Sequence, residues 1–193
     1  GLAAAVVQDG RPVFSRVMGA ASIEFDQPVR ADTVFAINSV TKAFTGVATM
    51  RLVDQGRLDL SDPVGRHVAD LPDAWRAIPL HQLLTHMSGL PDLMRAPTVE
   101  TDAAPAWAWT LVQPIRFAPG ERFHYCQTNY TLIQKVLNRL LDQAPDAPLA
   151  LEQVQLSGMT HTWYGDAYDV IPRKAPTYRW TLPGPFVTGY TAA

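Results

Sequence analysis

The 193-residue sequence contains a single cysteine, Cys126, so no internal disulfide can form and the redox compartment stays open. It has no run of eighteen apolar residues, which removes a spanning helix from consideration. It has no excess of positive charge. Sixteen basic and 18 acidic residues leave a formal net charge of -2, and no basic stripe follows a periodic segment, so nucleic acid is not an expected partner. The five histidines (His67, His81, His86, His124, His161) show no zinc-ligand spacing with cysteine or glutamate, so no metal is expected. Gly56, Gly65 and Gly89 stand alone and make no phosphate loop, and no other cofactor motif appears. A signal peptide is not visible either. Gly1-Leu2-Ala3-Ala4-Ala5-Val6-Val7 has no positive flank and is soon broken by Gln8-Asp9-Gly10. It reads as a strand entered midway, with a trimmed N-terminus.

What is present is a globular composition. Hydrophobic residues make up 47%, enough for a real core in one large or two small domains. Residues 3–8 and 11–19 are apolar-rich and flank Asp9-Gly10, a pair that tolerates positive φ, so an antiparallel hairpin is expected. Residues 33–37 suggest another short strand. From Val40 the period changes, with Phe44, Val47, Ala48 and Leu52 at helical spacing and Gly56 as a C-terminal stop. Residues 57–79 read as an irregular connection. Leu80 to His86 predicts a short helix halted by Ser88-Gly89. Residues 91–122 hold five of the 16 prolines and read as loops around a short helix near Trp107. Asn129 to Leu141 predicts a helix with Ile133, Val136, Leu137, Leu140 and Leu141 on one side. The proline-rich tail from Gln143 reads as loop with one short helix around Leu149–Leu156. No repeat appears, and strands are expected only near the N-terminus.

Chemistry is suggested first by Ser39-Val40-Thr41-Lys42. Residues three apart on a helix share a face, so a lysine at that spacing can reach the serine hydroxyl. A lysine partly desolvated in a cleft gives up its proton more readily and can serve as base. Helix N-terminal N–H groups would favour negative charge developing at the serine. The bland alternative is an N-cap serine and a solvated lysine. Tyr125, between the turn Pro119-Gly120-Glu121 and the helix that follows, is a second candidate, since a phenol beside an ammonium can act as base; its bland reading is a packed aromatic. Cys126 lies two positions from His124 and could suggest a thiol nucleophile, but a lone cysteine in an apolar setting is more often a small buried hydrophobe.

Together these segments resemble the serine beta-lactamase and penicillin-binding-protein family, in the branch of class C beta-lactamases, D-alanyl-D-alanine carboxypeptidases and related esterases. The resemblance is carried by residues 33–45 around Ser39 and Lys42 and by Leu58-Asp59-Leu60-Ser61-Asp62-Pro63-Val64. Leu83-Leu84-Thr85-His86-Met87-Ser88-Gly89-Leu90-Pro91, Pro119-Gly120-Glu121-Arg122-Phe123-His124-Tyr125 and Leu156-Ser157-Gly158-Met159-Thr160 follow in family order, the last with Ser157 inserted.

The resemblance implies an α/β (α+β) fold, here the N-terminal strands of an antiparallel sheet plus a helical region, with C-terminal strands absent. It implies one partial hydrolase domain over 1–193, with strands and nucleophile helix in 1–60 and helices and loops in 61–193. It implies that Ser39 is acylated, that Lys42 shares its proton, that Tyr125 serves as base and leaving-group acid, and that Gln127 contacts substrate where the family usually has asparagine. Cys126 replaces the common serine. The family's third motif, Lys-Thr-Gly or His-x-Gly on a late strand, has no match after Tyr125. The implied function is a serine hydrolase forming an acyl-enzyme on a beta-lactam, a D-Ala-D-Ala peptide or an ester. The alternative is a silent relative that binds peptidoglycan-like ligands or a protein partner. The expected partners are a small-molecule or peptide substrate and the remaining part of the same domain. The family setting is periplasmic or secreted.

Overall fold

The structure is a computed structural model that describes residues 1–97, 103–141, 148–165, 169–181 and 184–187. Strands β1 (Leu2–Gln8) and β2 (Arg11–Met18) form the expected hairpin, with Leu2 opposite Met18 and Val6 opposite Phe14. Asp9 at φ 50° and Gly10 at φ 72° make its turn, the doubly left-handed geometry that suits the right-handed twist of paired strands. Two short strands, β3 (Ala20–Ser22) and β4 (Gln27–Pro28), form a second antiparallel pair. A 3-10 turn at Asn38–Val40 leads into helix α1 (Thr41–Asp54). There follow a 3-10 turn at Val64–Arg66, α2 (Asp73–Arg76), α3 (Leu80–Leu84), a 3-10 turn at Leu93–Arg95, α4 (Ala103–Leu111), α5 (Gln127–Leu141) and α6 (Pro148–Leu156). Strands β5 (Tyr178–Thr181) and β6 (Gly184–Val187) form a third antiparallel pair.

The fold is thus α/β, with N-terminal antiparallel strands followed by helices. Among the described residues the three strand pairs stay separate two-stranded sheets and do not close into one. Two expectations need correction. The stretch 33–37 is not a strand; only Val34 pairs, in a single parallel bridge to Lys174. The tail is not all loop, because β5 and β6 lie in it. Pro185 sits within β6, opposite Trp180, and among the described residues β6 pairs with β5 alone, which a strand containing proline tolerates. Among the described residues no helix is long and apolar enough to cross a membrane.

The chain divides into two compact units. One gathers residues 1–41 with the described residues from Val154 onward; the other is Lys42–Gln153. In the first, the Tyr178 hydroxyl accepts from the Ile23 N–H at 2.9 Å and donates to the Glu24 carboxylate, fastening the start of β5 to the turn between β3 and β4. The β1–β2 hairpin leaves Leu2, Val6, Val7, Val13, Phe14 and Met18 about half exposed.

The second unit holds the principal core. Ala48 and Leu52 of α1 pack with Leu58, Val64, Leu71, Trp75, Ile78, Leu80, Leu83, Leu90 and Cys126, and with Leu132, Ile133, Val136 and Leu137 of α5. The α5 stripe is the one its i, i+4 pattern demands. On α1 the pattern misleads. Val47 is more than half exposed while Thr49 is buried, because this helix carries apolar residues on more than one side and period alone does not choose among them; Val40, expected to begin the stripe, lies in the 3-10 turn before the helix and is exposed. Gly56 ends α1 as expected. At φ 66° it occupies the left-handed position of a Schellman motif, with Gly56 N–H on the Val53 carbonyl and Arg57 N–H on that of Leu52.

Candidate active site

Ser39 lies in the 3-10 turn Asn38–Val40, just ahead of α1. The residue before it, Asn38, has φ 45°, a left-handed conformation that asparagine tolerates better than most side chains. Lys42 opens the second unit, in the first turn of α1.

Within the second unit the structure brings Lys42, Tyr125 and Gln127 together, although 85 positions separate the lysine from the glutamine. The Lys42 ammonium donates to Gln127 Oε1 at 2.9 Å. It also stands 5.1 Å from the centre of the Tyr125 ring and 5.2 Å from that of Tyr130, between two π-faces that attract a cation. Tyr125 is 45% exposed. Cys126, between Tyr125 and Gln127, is turned away from them in the sense that matters chemically: it is 1% exposed, with Sγ 3.6 Å from the carbonyls of Leu90 and Pro91. Burial pushes its thiol pKa up, which keeps the sulfur protonated and unreactive.

The loop after α3 backs the segment that carries Tyr125 and Gln127. His86 takes φ 58° at the left-handed position of a Schellman motif, with His86 N–H on the Leu83 carbonyl and Met87 N–H on that of Gln82. Gly89, two residues after Met87, has φ 73°, and a Cβ there would lie 2.0 Å from the Phe117 carbonyl oxygen, so only glycine fits. A set of hydrogen bonds then fastens residues 86–93 to the start of α5. His124 N–H reaches the His86 carbonyl at 2.8 Å, and Cys126 N–H reaches His86 Nδ1 at 3.3 Å. Gln127 N–H is capped by Asp92 Oδ1 at 3.0 Å. Thr128 Oγ1 donates to the Pro91 carbonyl at 2.6 Å and accepts from Leu93 N–H at 2.8 Å. Buried Asn129 accepts from Ser88 Oγ at 2.5 Å and faces His86 Nδ1 at 3.1 Å.

The His86 ring stacks obliquely on Tyr125 at 4.4 Å and on Tyr130 at 5.2 Å, with Phe123 edge-on at 5.9 Å. Burial, then the positive charge of Lys42, hold His86 below the ordinary imidazole value of 6.5, while Asp92 pulls the other way. Burial likewise pushes the Tyr130 phenol up, and its hydroxyl donates to the Leu84 carbonyl at 3.3 Å. Sequence reasoning missed His86, Asn129 and Tyr130. Their roles arise from long-range contacts, and the only local signal was the pairing of a helix stop at 86–89 with a helix start near 127.

This cluster of a lysine, an amide and aromatic rings sits in an α/β fold with antiparallel strands ahead of a helical region. The chain belongs to the beta-lactamase family, whose model matches residues 1–193. It is 33% identical over 134 residues to a beta-lactamase of Yersinia enterocolitica, a match covering 68% of this chain and 34% of that protein. Among solved structures it is similar to a penicillin binding protein from Bacillus halodurans, with a TM-score of 0.78 and 26% identity over 93% of this chain and 57% of the other. It is also similar to a D-amino acid amidase from Ochrobactrum anthropi SV3, with a TM-score of 0.75 and 27% identity over 90% of this chain and 51% of the other. The chain therefore spans about a third of the length of the curated relative and about half that of the solved structures.

Proposed function

We propose that residues 1–193 form part of a serine hydrolase domain that acts through an acyl-enzyme on Ser39. The observation that carries the reading is the Lys42 ammonium held between Gln127 Oε1 and the Tyr125 ring, three residues downstream of Ser39 in sequence. In the first step Ser39 Oγ attacks a substrate carbonyl carbon, and its proton passes to the Lys42–Tyr125 pair. The tetrahedral intermediate collapses, the carbonyl carbon parts from its nitrogen or oxygen substituent, and Tyr125 returns the proton to that leaving atom. Water then attacks the ester carbonyl carbon, one of its protons passes through the Lys42–Tyr125 pair to Ser39 Oγ as the bond to that oxygen breaks, and the acid is released. Gln127 has a donor NH2 left once its oxygen is engaged by Lys42, and this group would contact the substrate amide or ester. The substrate is a beta-lactam, a D-Ala-D-Ala peptide or an ester, classes that share a carbonyl open to attack by a serine oxygen.

The test is covalent labelling. The chain and its Ser39→Ala variant are incubated with a fluorescent penicillin and a chromogenic ester, and intact mass is measured. The expected result is an adduct of one acyl group on the chain and none on Ser39→Ala. Labelling that survives the substitution overturns the assignment of the nucleophile. Absence of any adduct in a folded protein favours the silent, ligand-binding relative.

A further inference from the structure

We propose that His86 is a positioning residue of this site: a neutral imidazole, locked by Cys126 N–H and the Asn129 amide, that fixes the Tyr125 and Tyr130 rings about Lys42. The inference rests on the proposed function above only for its kinetic consequence; its structural content stands alone.

The tautomer follows from the donors. A backbone N–H has no alternative but to donate, so the Cys126 N–H at 3.3 Å requires an unprotonated Nδ1. The side chain of Asn129 agrees. Its oxygen is taken by the Ser88 hydroxyl at 2.5 Å, which turns its NH2 toward Nδ1 at 3.1 Å. With the one Nδ1 lone pair shared by these two donors, the single proton of the neutral ring sits on Nε2. The backbone supports a selected side chain. His86 occupies, at φ 58°, a helix-stop position where glycine is the low-strain choice. The imidazole is retained there with its faces against Tyr125 at 4.4 Å and Tyr130 at 5.2 Å, the same two rings that flank Lys42 at 5.1 and 5.2 Å. Removing the ring leaves both phenols without their common backing.

A charge consequence follows. Protonating Nδ1 would set a new N–H against two N–H donors and place a second cation near Lys42. The groups facing His86 are Lys42 from α1, Asp92 and Ser88 from its own loop, Phe123, Tyr125 and Cys126 from the segment before α5, and Asn129 and Tyr130 from α5. Asp92 is the one anion among them, and it is engaged in capping Gln127. The arrangement around Tyr125 and Lys42 is therefore built for an uncharged His86 and loosens when that ring takes a proton.

The experiment uses the full chain and two variants. His86→Asn keeps an acceptor at the place of Nδ1 and a residue type that tolerates positive φ, but deletes the ring faces. His86→Gly relieves the backbone and deletes both. Long-range proton–nitrogen correlation spectra of the histidines are followed from about pH 4 to about pH 8, with His86 assigned by its loss in the variants. The expected result is a neutral His86 protonated on Nε2, titrating below the ordinary imidazole range, with Tyr125 and Tyr130 ring signals moving in the same step. In the labelling assay, His86→Asn is expected to slow acylation roughly tenfold to a hundredfold with KM little changed, and to lose the His86-linked part of the acid limb. A ring protonated on Nδ1, an ordinary titration, or tyrosine signals that ignore it overturns the proposal. So does a His86→Asn variant that keeps the parent's rate and acid limb. A chain that labels nowhere sinks the hydrolase reading alone, since the spectra still decide the role of His86.

Discussion

Replacing Asn129 by alanine is the sharpest test of how the site is held together. The side chain is wholly buried and makes two hydrogen bonds, to Ser88 Oγ at 2.5 Å and to His86 Nδ1 at 3.1 Å. Each lost bond costs about 0.5–1.5 kcal/mol net, and each buried partner left unpaired adds about 1–3 kcal/mol. Neither partner is left wholly bare, because Ser88 Oγ still receives Leu90 N–H at 3.2 Å and His86 Nδ1 still receives Cys126 N–H. The penalty therefore belongs at the low end, and the sum with a small cavity is about 2–4 kcal/mol. For a chain of this size that is a fall of roughly 5–15 °C in unfolding midpoint. Urea unfolding should show a lower midpoint with an unchanged slope. A double-mutant cycle with Ser88→Ala should give a coupling of about 1–2 kcal/mol, because one hydrogen bond is removed by either change. As a control, Asn138→Ala removes a bond to Gln134 at 3.0 Å on a part-buried face of α5 and should cost less than about 1 kcal/mol. A loss below about 0.5 kcal/mol for Asn129→Ala, or an additive cycle, would refute the claim that this pair joins the 86–90 loop to α5.

Three further outcomes are expected. Gln127→Leu removes the Lys42 acceptor and should slow labelling of Ser39 about a hundredfold, whereas Gln127→Asn, one methylene shorter, should lose less; equal loss in both would mean that reach rather than the acceptor governs. Burial pushes the Asp62 carboxyl up, but His67 at 3.1 Å and Arg66 at 2.5 Å outweigh it and hold it below the ordinary carboxylate value of 3.8. A depressed carboxylate lends stability above its unfolded pKa and loses it as pH falls through the folded one, so Asp62→Asn should flatten the acid arm of the stability curve measured by urea unfolding. Cys126 should resist iodoacetamide until the protein unfolds, and Cys126→Ser should be tolerated within about 1 kcal/mol, because a hydroxyl there can donate to the Leu90 or Pro91 carbonyl.

Features with local causes were legible in the sequence. Asp9-Gly10 specifies its hairpin because both residues accept positive φ, and α5 follows from an apolar stripe strong enough to choose one face. β3 and β4 were not legible, since strands of three and two residues are too short to display alternation. The β5–β6 hairpin was hidden by prolines that argue for loop until the pairing partner is known. At the site, the spacing of Ser39 and Lys42 and the family likeness of Tyr125 and Gln127 named candidates, because these lie in contiguous motifs. His86, Asn129 and Tyr130 carry no such mark. A histidine at a helix stop, an asparagine in a first helical turn and a tyrosine in the next are each ordinary alone, and their meaning comes from a contact across about forty positions.

That contact explains how exposed side chains can be held in a fixed place. Along residues 124–129 anchoring and presentation alternate. His124 gives its N–H to the His86 carbonyl, Tyr125 is presented, Cys126 is buried and gives its N–H to His86, Gln127 is capped by Asp92 while its side chain meets Lys42, and Thr128 and Asn129 are buried in hydrogen bonds to residues 86–93. Each presented side chain is thus flanked by backbone groups that cannot shift without breaking a buried bond. The cost of moving Tyr125 or Gln127 therefore includes the buried bonds of their neighbours as well as their own contacts with His86 and Lys42. A lysine placed by α1 can then meet a ring and an amide from before and at the start of α5 in a defined geometry, even though both partners face solvent in part. It follows that the fixity of the site depends on residues 86–93, whose hydrogen bonds to residues 124–129 hold the segment that presents Tyr125 and Gln127.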